Sequence, residues 1–204
     1  MRANTLDLEI VQGKSFSQVL QWEQGKFVYK AIASASQADP CILGVTGHGM
    51  PDGWHFRVVN STGMTELNVD EATGKGANGK EEYRATVVDP NTIELNDVAA
   101  AGFKPYRGGG SIVYREPQDL TGYTARMMVR EHEEASTAIL ELTNANGGIV
   151  LNNTTKTITI VVTDTQSALL TPGTYYYDLE VESAGGDTKE LVHGTITVER
   201  EITR

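Results

Sequence analysis

The chain's candidates for chemistry are few: four histidines, one cysteine and a scatter of carboxylates in 204 residues. His48, Asp52 and His55 lie close together in the stretch Gly47-His48-Gly49-Met50-Pro51-Asp52-Gly53-Trp54-His55. Imidazole and carboxylate are metal ligands, but a metal needs them to converge on one point with an ordered outer shell. A glycine-rich turn gives His48 a simpler role, capping a backbone group. Asp70-Glu71, with Gly74 after it, lacks the alternate oxygen ligands of a calcium loop and reads as a solvated loop. Gly108-Gly109-Gly110-Ser111 is followed by no lysine and no helix, so it is not a phosphate-binding loop. No nucleophile elbow of the Gly-x-Ser-x-Gly type occurs. Cys41 sits in an apolar run without a basic neighbour, which makes a buried, inert thiol the expectation. The run Glu131-His132-Glu133-Glu134 reads as an exposed loop.

Acid, base and nucleophile converge nowhere, so the expectation is a protein that is not an enzyme. No catalytic, cofactor-binding or metal-binding residue is assigned, and no cofactor is implied. The tyrosine run Tyr175-Tyr176-Tyr177 offers a binding platform, although in a strand two of three such residues belong to the core and one to the surface. Asn60-Ser61-Thr62 and Asn152-Asn153-Thr154 match glycosylation acceptors, which mean little without a secretory signal.

Composition narrows the field further. The net charge is −10 and the pI about 4.8. A field of that sign repels phosphate backbones and argues against nucleic-acid binding. No apolar stretch is long enough to span a bilayer, and no long apolar run follows Arg2 as a signal peptide would require. One cysteine makes no internal disulfide, which fits assembly in a reducing cytoplasm.

The elements that would position these residues are strands. Twenty-one glycines and only 7% aromatics suit short strands and tight turns. Leu6, Leu8 and Ile10 alternate with polar neighbours, Gly13-Lys14 turns, and Phe16 to Trp22 runs back: a hairpin. Glu23 to Lys26 reads as a second turn and Phe27 to Ile32 as a strand leading out. From about Ala33 to Tyr114 loops and glycines dominate, with short strands at Cys41–Val45, Trp54–Val59, Tyr83–Val88, Thr92–Leu95 and Ser111–Tyr114. Asp89-Pro90-Asn91 is a type I turn signal between two of them. Val69 to Glu82 is an exposed loop.

After Arg115 regular alternation returns. Tyr123, Ala125, Met127 and Val129 share one face of a strand, Arg126 and Arg130 the other. Thr157 to Thr163 is rich in β-branched residues. Asp164 to Leu170 is a helical turn capped by Asp164 or Thr165. In Tyr175 to Val181, the residues Tyr175, Tyr177, Leu179 and Val181 face inward. Thr188–Val192 and Gly194–Glu201 complete the set. A lone N-terminal hairpin is not stable, so it should join the sheets of the C-terminal half. The expectation is an all-β, immunoglobulin-like sandwich from residues 1–30 and 115–204, with a small β-barrel-like domain, 31–114, inserted. Leu170-Thr171-Pro172-Gly173-Thr174-Tyr175 has the form of a tyrosine corner, whose hydroxyl bonds upstream backbone at the end of such a sandwich.

Two stretches carry a resemblance. Val45 to Trp54, Gly63-Met64-Thr65-Glu66-Leu67-Asn68, Tyr83 to Asp89 and Thr92 to Asn96 resemble a small β module of tailed-bacteriophage structural proteins. That module is similar to the first catalytic-cysteine half-domain fold of ubiquitin-activating enzymes, without their chemistry. Asp119-Leu120-Thr121-Gly122-Tyr123-Thr124-Ala125-Arg126-Met127, Gly173 to Glu180 and Gly194 to Val198 resemble the immunoglobulin-like domain of phage upper-baseplate and related tail proteins.

The resemblance implies a virion structural protein of the tail, neck or fibre attachment, assembled in the host cytoplasm. Its partners would be other virion proteins, including capsid subunits, and copies of itself in a symmetric assembly. Nucleic acid and membrane are not expected partners. The loop Val69–Glu82 and the turn His48–Trp54 are the candidate contacts. A head decoration protein is one alternative. A carbohydrate-binding module is another, with Trp22, Trp54 and Tyr176 as its candidate platforms.

Overall fold

The computed structural model describes residues 4–70 and 72–202. Residues 1–3, where the signal-peptide reading begins, Glu71 of the Asp70-Glu71 pair and residues 203–204 lie outside that description. The protein is all-β and sandwich-like; among the described residues the helices are one short α-helix, Asp164–Ala168, and one 3-10 turn, Thr65–Leu67. It divides into two compact units, residues 1–22 with 119–204 and residues 23–118.

In the first unit the alternation in the sequence becomes two sheets facing one core. The larger has six strands. Gly173–Glu182 lies at its centre, between Thr124–Arg130 and Thr188–Glu199, both antiparallel to it. Leu140–Thr143 forms one edge, and Asn4–Thr5 and Leu8–Val11 pair parallel to Thr188–Glu199 at the other. The smaller sheet runs Ile149–Asn152, Thr157–Val162, Phe16–Gln21, all antiparallel. Ile10, Met127, Leu142, Ile158, Ile160, Leu179 and Ile196 fill the space between them.

The N-terminal strands are therefore not a hairpin. Leu8–Val11 joins the six-stranded sheet and Phe16–Gln21 the three-stranded one. Both strands bury one side, and splitting them across the sandwich lets each meet a partner with its own core face. Gly194 marks where the first segment crosses the last strand: a Cβ there would collide with the carbonyl of Leu6, and Asp7 accepts from the Thr195 amide at 2.9 Å. At the other end, Tyr175 donates its hydroxyl to Thr171 O at 2.7 Å, the contact expected of a tyrosine corner. The helix is capped one residue earlier than its acidic start suggested. Thr163 and Gln166 form a reciprocal capping box there.

In the second unit two four-stranded sheets curl round a single core. One runs Ser34–Ala35, Cys41–Gly44, Thr92–Leu95, Thr86–Asp89. The other runs Glu23–Ala31, Ser111–Pro117, His55–Val59, Tyr83–Arg84. Trp54, Phe56, Met64, Leu67, Ile93 and Ile112 are fully buried among them. Residues 23–26 are not a turn. They open a nine-residue strand whose register with Ser111–Pro117 extends from Ala31↔Ser111 to Glu23↔Pro117. That pairing places the division of the chain at Trp22/Glu23 and Gln118/Asp119, where sequence reading put it at residues 30 and 115.

Candidate functional site

The residues singled out for metal binding go separate ways. His48 is buried: its Nδ1 accepts from the Met50 amide at 3.1 Å and its Nε2 donates to Asp89 O at 2.9 Å. Its own carbonyl accepts from the Tyr114 hydroxyl. Asp52 accepts from the Val87 amide at 3.0 Å, and exposed His55 lies 3.8 Å from Glu82. Each ring or carboxylate is thus used to satisfy backbone or a surface charge. Among the described residues no three His, Cys, Asp or Glu side chains are grouped to hold a metal ion.

Cys41 is fully buried, and burial pushes its thiol up to about 11, while the S–H points at Ser36 O. Asp70 closes its own turn by accepting from Ala72 N, Thr73 N and Thr73 Oγ1. The hydrogen bonds from Thr73 hold its carboxyl below the ordinary range. The glycine triplet 108–110 lies entirely at positive φ, and at Gly110 a Cβ would collide with the Ser61 backbone. Of the aromatic platforms, Trp54 is unavailable: it is fully buried and its Nε1 donates to Arg115 O at 2.9 Å. Trp22 is half-buried, with Tyr123 edge-on at 5.4 Å and the Lys189 ammonium 5.0 Å from its ring centroid. Tyr176 is exposed, while Tyr177 is buried and Tyr175 half-buried.

Of the candidate contact loops, the His48–Trp54 turn buries His48, Met50 and Trp54, exposes Gly49 and Asp52 and leaves Pro51 and Gly53 half-buried. Val69–Glu82 is exposed along much of its length and is tied at its base by the Val69–Gly76 bridge.

The functional groups that do converge lie on the outer face of the six-stranded sheet. Alternation along Gly173–Glu182 sends Tyr177, Leu179 and Val181 inward, and Tyr176, Asp178 and Glu180 outward. The ladders then align three rows: Arg130, Tyr176, Thr195; Met128, Asp178, His193; Arg126, Glu180, Glu190. The third row depends on a register shift after Leu179, which sets Glu190 opposite Glu180 and leaves Leu191 as the extra residue. With Thr5, Asp7 and Glu133 at its margins, this face is a shallow depression of about 620 Å³.

Its charges are largely paired among themselves. Arg126 Nη2 lies 2.8 Å from Glu180 Oε2, and that bond raises the Arg126 pKa further. His193 Nδ1 lies 2.6 Å from Glu190 Oε1. Asp7 accepts from both the amide and the hydroxyl of Thr195, which lowers its pKa. Arg130 is held by Ala135 O at 2.6 Å. Asp178, at the centre, is the exception. Partial burial raises its carboxyl, and the neighbouring charges of Glu180 and Glu190 add to the effect. The face presents oriented donors and acceptors beside one aromatic ring. Among the described residues no Ser, Cys or Lys lines it.

The inserted unit has an outer face of a different kind. Phe27 and Tyr29 project from the Glu23–Ala31 strand with 48% and 59% of their surface exposed. The Arg115 guanidinium sits 4.6 Å from the Phe27 ring centroid and 3.6 Å from Glu23. Burial raises the Glu23 carboxyl. His55, Arg57 and Glu82 continue this surface. Sequence reading missed it because Glu23-Gln24-Gly25-Lys26 has turn composition. The signal available was the alternation of Phe27 and Tyr29 with Val28 and Lys30, which predicted the strand without saying that its aromatic side faces out.

Among the described residues no helix is long and apolar enough to cross a membrane. No known protein family matches the chain, and neither does any curated protein sequence.

Proposed function

We propose that this protein is a structural component of a tailed-phage virion, of the tail, neck or fibre attachment, and that it works by docking to other virion proteins. The observation that carries the docking reading is the Glu23–Ala31 strand. Among the described residues it pairs on one side only, with Ser111–Pro117, and it displays Phe27 and Tyr29 beside Arg115. Exposed aromatics with arginine are the composition of interface centres, and an open strand edge accepts a partner's backbone. The sandwich with its tyrosine corner, and the resemblance of both units to phage structural modules, support the virion assignment. The acidic surface suits partners with basic patches and keeps free subunits soluble before assembly. Copies of the chain would be arranged in a symmetric assembly, as virion proteins commonly are.

The test is immunogold labelling of purified particles with an antibody against this protein. Label at the tail, neck or fibres is expected. Label spread over the head would replace this reading with a decoration protein. Particles without label, from a lysate that contains the protein, would overturn the virion reading.

A further inference from the structure

We propose that the concave outer face of the six-stranded sheet is a binding site for a neutral glycan of one or two sugar units. The inference is independent of the virion reading and concerns the other unit of the molecule. Its volume of about 620 Å³ falls within the range of small-ligand sites.

The charge arrangement selects the ligand class. Asp7, Glu133, Asp178, Glu180 and Glu190 outnumber Arg126, Arg130 and His193 around the depression, so on balance the lining opposes an anion. A cation finds most of those carboxylates occupied: Glu180 by Arg126, Glu190 by His193, and Asp7 by Thr195. What remains is a surface of fixed donors and acceptors with little net demand for an ion. Sugar hydroxyls, each both donor and acceptor, suit it. Carboxylate oxygens accept from them, and guanidinium N–H groups donate in a fixed plane.

Two residues have no other evident use. Tyr176 is 39% exposed at the edge of the depression, beside Arg130 and Thr195, and its ring face can take the C–H face of a pyranose. Asp178 is half-buried at the centre of the grid, flanked by Met128 and His193. Burial and the charges of Glu180 and Glu190 raise its carboxyl, and a backbone hydrogen bond and the charge of Arg130 offset that rise only in part. An approaching pair of hydroxyls would satisfy it. The register shift after Leu179 also gains a purpose here, because it brings Glu190 to the same face as Glu180 and His193.

The test is an amide NMR titration of the full chain with glucose, galactose, mannose, N-acetylglucosamine, lactose and maltose. Saturable shifts confined to Tyr176, Asp178, His193, Thr195 and their strand neighbours are expected with at least one sugar, at a dissociation constant on the order of 1 mM. Tyr176→Ala and Asp178→Ala should each weaken binding about tenfold or more, with the rest of the spectrum unchanged. Absence of saturable shifts with the whole panel would overturn the proposal. Binding that survives both substitutions would do the same. So would a stronger response of these amides to spermidine or to sulfate than to any sugar, since the site would then be one for ions.

Discussion

In the sandwich unit, backbone groups find each other along long ladders, whereas in the inserted unit side chains take over much of that task. Gly173–Glu182 and Thr188–Glu199 stay paired from Gly173↔Val198 to Glu182↔Thr188, and Thr157–Val162 is matched along its length by Phe16–Gln21. Apart from the Glu23–Ala31 and Ser111–Pro117 pair, the insert has short strands, such as Cys41–Gly44, His55–Val59 and Thr92–Leu95, joined by turns with glycines at positive φ. There His48 bridges Met50 N and Asp89 O, and Trp54 donates to Arg115 O. Tyr83 donates to Leu67 O, and Ser61 donates to Met64 O. Burial pushes the Tyr83 hydroxyl up to about 12, so it remains a donor. Buried backbone groups must be paired somewhere. Where the ladder is interrupted, one polar side chain holds two turns together, and the local structure depends on single residues.

Substitutions can break this contrast or sharpen it. The largest effect is expected for Trp54→Ala, which removes a fully buried indole and leaves Arg115 O without its donor. The cost is about 3–5 kcal/mol. In an amide NMR spectrum the signals of residues 23–118 should collapse while those of the Gly173–Glu182 ladder persist. Joint loss of both sets would show that the two cores do not stand independently. Leu179→Ala is the counterpart in the sandwich, at about 2–5 kcal/mol, and should lower the urea midpoint of that unit alone.

Smaller effects probe the hydrogen bonds themselves. His48→Phe keeps the volume roughly but strands a buried amide and a carbonyl. It should cost the insert about 1–3 kcal/mol, read by thermal unfolding. Tyr175→Phe removes one bond at the end of an intact ladder and should cost about 1 kcal/mol. Equal losses from these two changes would contradict the contrast.

The smallest effect is expected from Asp119. Hydrogen bonds from Asn153, Thr121 and Lys156 lower its pKa from 3.8 to about 2. Its folded pKa lies below the unfolded one, so its contribution is whole above about pH 4 and is lost as pH falls through about 2. Asp119→Asn should lower the stability of the sandwich unit slightly above about pH 4, flatten its acid limb and leave stability near pH 2 unchanged, and the effect is small because the side chain is exposed.

Much of the sandwich was legible in the sequence because period-2 alternation needs no knowledge of neighbours. Thr157 to Val162, Thr124 to Arg130 and Tyr175 to Val181 all bury the side their pattern predicts. The tyrosine corner was legible because it is local: donor and acceptor are four residues apart. His48 as a backbone cap was legible from its glycine-rich turn, though Asp89, its distant partner, was not. The two misread stretches failed for different reasons. Over residues 6–22 alternation says that a strand has a buried side, but not which sheet supplies the partner; over residues 23–26 turn composition is overridden by pairing with Ser111–Pro117.

The outer-face site shows the same division. Sequence alone determined that Arg126 and Arg130 share a face and that Tyr176 points away from Tyr175 and Tyr177, because successive side chains in a strand alternate. Only the tertiary structure decided that Asp178 lies between Met128 and His193, and that Glu190 stands opposite Glu180. Those neighbours come from strands far apart in the chain, and their alignment rests on ladder register and one bulge. Both are settled when the apolar faces pack, a step that no single strand's sequence encodes.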